Sequence, residues 1–130
     1  NIFNLFKKSN KQHSKRTVSM STQQNINTAW NSVDIALKSK TPSQLRQALI
    51  TADKCLDNAL RDLVPGEKMA DRLKNSKSKF DYNTYDKLWK AHKIRNNLVH
   101  EAGFEPSYVT LINSIKDLQN GLTKLGVKTN

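Results

Sequence analysis

Lys93-Ile94-Arg95-Asn96-Asn97-Leu98-Val99-His100-Glu101 brings an arginine, an adjacent amide and a histidine into one short stretch. Those three residue types suffice for phosphodiester chemistry on RNA without a metal. Histidine moves protons near neutral pH, so His100 could take one from a ribose 2'-hydroxyl or give one to a leaving oxygen. The planar fork of Arg95 suits nonbridging phosphate oxygens and the charge that grows on phosphorus. Asn96 would orient the imidazole or the phosphate. A structural role competes with this reading: polar residues near a helix end cap carbonyls, and Arg95 with Glu101 or Asp86 would form an ordinary ion pair.

Spacing decides how such groups could meet. Five positions on an ideal helix turn Arg95 and His100 about 140° apart, so the two do not share a face. If two copies pack these helices antiparallel, the arginine of one approaches the histidine of the other. A site shared across a homodimer is the expectation. His92, Asn96 and His100 stand four apart and draw one polar stripe. Its histidines are about 12 Å apart along the axis, too far to bind one zinc within a monomer, and no carboxylate falls on the stripe. Neither a metal nor a cofactor is expected.

The elements that must position this stretch read as helices throughout. Ile26, Trp30, Val33 and Leu37 draw a stripe down a first helix over Met20 to Ser39. Thr41-Pro42-Ser43-Gln44 then offers a capping oxygen, a proline at the first helical position and a glutamine able to bond back to the cap. The second helix would bury Leu45, Leu49, Ala52, Leu56, Ala59, Leu60 and Leu63, stop at Pro65-Gly66, and fold back on the first. Glu67 to about Asn75 predicts a short third helix with Met69 and Leu73 inward, followed by the polar loop Ser76-Lys77-Ser78-Lys79. Asp81, Asn83 or Thr84 would cap a fourth helix carrying Tyr85, Leu88, Trp89, Ile94 and Leu98 and ending before Gly103. A fifth, from Pro106 or Ser107, carries Leu111, Ile112, Ile115, Leu118, Leu122 and Leu125 and closes at Gly126. The fold class is therefore all-α, a compact antiparallel bundle of four long helices plus one short helix.

Composition agrees and adds a charge argument. The 130 residues suit one domain, and 36% hydrophobic residues with four Gly and three Pro suit a polar helical one. Twenty-two Lys and Arg against eleven Asp and Glu give +11, which calls for an anionic partner such as nucleic acid or a membrane surface. Residues 1–19 form a basic tail with Lys7, Lys8, Lys11, Lys15 and Arg16 and no acid, apart from a helical domain over 20–130. Asn1-Ile-Phe-Asn-Leu-Phe6 before Lys7-Lys8 has two readings. It is either a disordered extension or a juxtamembrane flank that meets anionic lipid. The cytoplasm, or the cytoplasmic face of a membrane if an upstream anchor was removed, is the expected location.

Lys68 to Arg95 carries the body's remaining excess, nine Lys and Arg against three Asp. Lys74, Lys77, Lys79, Lys90 and Lys93 are candidates to follow a phosphate backbone, with a solvated basic face as the plain alternative. Tyr82 and Tyr85 beside the basic loop could stack on unpaired bases. Trp30 and Trp89 read as core anchors, and Cys55, the single cysteine, as a small core residue.

Arg95-Asn96-Asn97-Leu98-Val99-His100 resembles the R-x4-6-H signature of the HEPN superfamily, including the polar residue after the arginine. The context is similar from about residue 24 to 126, through Ala48 to Leu60, Met69 to Leu73, Leu88 to Asn96 and His100 to Phe104. The resemblance implies a helical bundle that dimerises with the motif at the interface and, in active members, a metal-independent endoribonuclease. Arg95 would then bind phosphate, Asn96 assist, and His100 act as the catalytic histidine. In noncatalytic members it implies an interaction or nucleic-acid-binding module.

Overall fold

The computed structural model describes residues 17–129, so residues 1–16 of the expected tail over 1–19 lie outside them. In chain order the described residues form α1 (Met20–Ser39), α2 (Pro42–Leu63), α3 (Met69–Asn75), a 3-10 turn (Lys77–Lys79), α4 (Tyr82–His100) and α5 (Tyr108–Lys124). No strand occurs among them, so the all-α bundle of four long helices and one short one stands.

Each helix begins and ends for local reasons. Ser19 accepts a hydrogen bond from the Thr22 N–H and starts α1, and Lys40 in the left-handed region ends it. A two-residue link then leaves α1 and α2, which pack together, only the antiparallel arrangement. Pro42 occupies the first turn of α2 as expected. The Gln44 side chain, however, accepts from the hydroxyls of Thr41 and Ser39 instead of reaching the cap's N–H. Thr41 makes no side-chain bond to the helix N–H groups. The third helix starts at Met69 rather than Glu67, with the Asp71 carboxylate accepting from the Lys68 N–H. Of the three proposed caps for α4, Asp81 is the one used, and the Thr84 N–H donates to it. That hydrogen bonding from Thr84 holds the Asp81 carboxyl below its ordinary value.

The core sits around α2, which packs against α1, α3, α4 and α5, while α4 also lies on α5. Ile26, Trp30, Leu45, Leu49, Leu56, Leu60, Leu88, Leu111, Ile115, Leu118 and Leu122 are fully buried within it. Each such side chain contributes on the order of 1.5–3 kcal/mol through the water it excludes. Trp30 is a core anchor as expected, although its indole N–H finds no acceptor among the described residues. Trp89 packs against the core from a half-buried position. Gly121 lets α5 approach α4 closely, since a Cβ there would meet Leu88 Cδ2 at 2.6 Å.

Candidate functional site

The polar centre of the molecule lies where α4 crosses α2. Asp53 occupies the core face of α2 among Leu49, Ala52 and Leu56, and is only 2% exposed. A lone carboxylate at that depth would be costly, and it is not alone. His92, 7% exposed, places Nδ1 3.0 and 3.2 Å from its two oxygens. Arg95 Nε stands 3.8 Å from Oδ2. Asn96 joins the other two side chains. Its Oδ1 accepts from Arg95 Nη1 at 3.0 Å, and its Nδ2 lies 3.5 Å from His92 Nε2.

This closed ring settles a tautomer. An ionised carboxylate only accepts, so His92 carries a proton on Nδ1 to donate to Asp53. In the neutral ring Nε2 then offers its lone pair to the Asn96 amide. Both nitrogens of His92 are thus engaged, and the edge of Trp89 closes on the ring at 6.2 Å and 70°. His92 is a positioning group for its neighbours and is largely closed to solvent.

Arg95 differs. Its side chain is 33% exposed, with Nε and Nη1 turned inward and Nη2 without a partner among the described residues. The guanidinium is therefore tied through two of its nitrogens, and Nη2 is the one left to receive another group. Its carboxylate is Asp53, not the expected Glu101 or Asp86, since Asp86 pairs with Lys90 at 2.8 Å. His100 is the last residue of α4, exposed, with no side-chain partner among the described residues. So Arg95 and Asn96 are hydrogen-bonded to each other, and His100 bonds to neither. Among the described residues no group of three His, Cys, Asp or Glu could hold a metal ion.

The basic residues divide in the same way. Lys74, Lys77, Lys90 and Lys93 are exposed and Lys79 is half-buried. The pairing with Asp86 raises the pKa of Lys90. Arg72 belongs to the fold instead: it is buried, with Nε and Nη2 on Asp57 at 2.7 and 3.0 Å and Nη1 on the Gly66 carbonyl at 2.8 Å. Cys55 is buried, and burial pushes its thiol up to about 11, with Lys54 opposing weakly. No helix of the described residues is long and apolar enough to cross a membrane.

Sequence reasoning missed Asp53. The signal was there, because Leu49, Asp53, Leu56 and Leu60 share a helical face, and a charge on an otherwise apolar face demands a partner. No protein-family model, curated protein or solved structure matches the chain.

Proposed function

We propose that this chain is a HEPN-like domain that cleaves RNA without a metal, at a site built from Arg95 of one copy and His100 of a second. The observation that carries the reading is the contrast between these two side chains. Arg95 is tied to Asp53 and Asn96 through Nε and Nη1, leaving Nη2 without a partner among the described residues, and His100 is exposed and has no side-chain partner among them. Exposed Val99 at the end of α4 and exposed Tyr108 and Val109 at the start of α5 lie on either side of the short connector 101–107. That apolar end, next to His100, supports a second copy as the occupant.

In the proposed reaction the His100 imidazole takes the proton of a ribose 2'-hydroxyl as the 2'-oxygen bonds to phosphorus. The bond from phosphorus to the 5'-oxygen breaks, and the imidazolium returns its proton to that oxygen. The products are a cyclic 2',3'-phosphate and a 5'-hydroxyl. Arg95 stabilises the charge on the nonbridging oxygens throughout. The test is incubation with single-stranded RNA in EDTA beside Arg95→Ala and His100→Ala. Cleavage that survives chelation and falls at least about a hundredfold in each variant supports the enzyme. Equal background in all three rejects it.

The exposed lysines of the α3–α4 region favour a second reading, a noncatalytic nucleic-acid-binding module. Binding without cleavage, weakening steeply with salt, would select it.

A further inference from the structure

Phe80, Tyr82 and Tyr85 line an open pocket of about 450 Å³ at the start of α4, together with Lys77 and Ser78. The volume falls within the range of roughly 300–1,000 Å³ common for small-ligand sites. Its rings are held in place from below. Phe80 packs on the core, and Tyr85 meets Trp89 edge-on at 6.3 Å and 86°. Tyr82 is 80% exposed, a large aromatic surface left in water beside two anchored rings. No acid lines the pocket, and the nearby Asp81 is committed to capping α4. One cation lines it and others stand further along its course. Lys77 lines it, Lys74 is exposed on the preceding helix, and Lys93 lies within about 20° of Tyr82 around α4 but about 16 Å further along it.

We infer that this pocket binds an unpaired base of single-stranded RNA, stacked on Tyr82, with the adjacent phosphate neutralised by Lys77 and the strand continuing along α4 toward Lys93. Aromatic faces recognise any base by stacking, and lysines follow the backbone without reading sequence. A duplex keeps its bases stacked on each other and cannot offer one. The inference rests on RNA as the ligand of the proposed function and extends it to a subsite. That subsite lies about 20 Å along α4 from Arg95.

The test uses an RNA of about eight nucleotides, 2'-O-methylated so that it cannot be cleaved, with 2-aminopurine as a fluorescent base. Stacking quenches this base, so the expected result is quenching on binding and at least about tenfold weaker binding of the matching blunt duplex. Tyr82→Ala should weaken binding about tenfold and lose the quench, while Tyr82→Phe keeps both. Tyr82 is so exposed that its replacement leaves the core intact. Unchanged affinity and quench in Tyr82→Ala, equal binding of duplex, or no binding at all would overturn the inference. Quenching that depends on Tyr82 without cleavage of unmodified RNA removes the nuclease reading alone. Cleavage that needs Arg95 and His100, with Tyr82→Ala binding like the parent, removes the pocket alone.

Discussion

Asp53 is the residue on which the polar centre depends, since it receives His92 directly and faces Arg95. Replacing it with Ala leaves a buried imidazole N–H without an acceptor and Arg95 without its counter-charge. The expected cost is about 3 kcal/mol, the low end for breaking a buried pair, because water reaches part of Arg95. Urea unfolding measures it, and a loss under about 1 kcal/mol would mean that the ring contributes little. Cys55 gives a pH prediction. Its thiol ionises near 9.0 when unperturbed and near 11 in the fold, so the native state holds the proton more tightly. The stability from this burial is complete below pH 9.0 and is lost as pH rises toward about 11. Urea midpoints of the parent and of Cys55→Ala should therefore converge or cross over that window; a constant difference would contradict the assignment. At this scale the sequence exposed Arg95, Asn96 and His100 as candidates, but the Asp53–His92 pair spans 39 positions and depends on how two helices cross. Spacing along one helix cannot reveal that.

Helices were the most legible elements, because stripes such as Ile26, Trp30 and Val33 or Leu111, Ile115, Leu118 and Leu122 report burial directly. Ends were less so. Gln44 had the right place for a capping box, yet two neighbouring hydroxyls compete for its oxygen, and that competition is invisible in the motif. Glu67 looked like the first residue of α3, but Lys68 takes the cap position, bonded to Asp71. The contact between Gly121 and Leu88 was not legible either, since a glycine within α5 reads as a flaw until its neighbour is known. Gly121→Ala should gain about 1 kcal/mol of helix propensity and lose about 1–3 kcal/mol to overpacking against buried Leu88. A net loss of about 1 kcal/mol in unfolding free energy is the prediction, and a rise in stability would show that α4 can yield. Because α4 carries His92, Arg95 and Asn96, the same shift should reduce any RNA cleavage.

Across the whole molecule, α2 serves as the central post, and α4 presents a held arginine and a free histidine at different points on the surface. The excess of nine Lys and Arg over three Asp from Lys68 to Arg95 overstates the basic face, because Arg72 is held by Asp57 and Arg95 faces Asp53, two acids from outside that stretch. Sequence counting cannot make that subtraction. The proposal that Arg95 of one copy works with His100 of a second is the central claim. The most direct measurement mixes Arg95→Ala protein with His100→Ala protein under conditions that let subunits exchange, then assays RNA cleavage in EDTA. Random exchange makes half the dimers mixed, each with one intact site of two, so activity should return to about a quarter of the parent value. If the mixture stays as inactive as either variant alone, while the parent cleaves, the shared site is wrong.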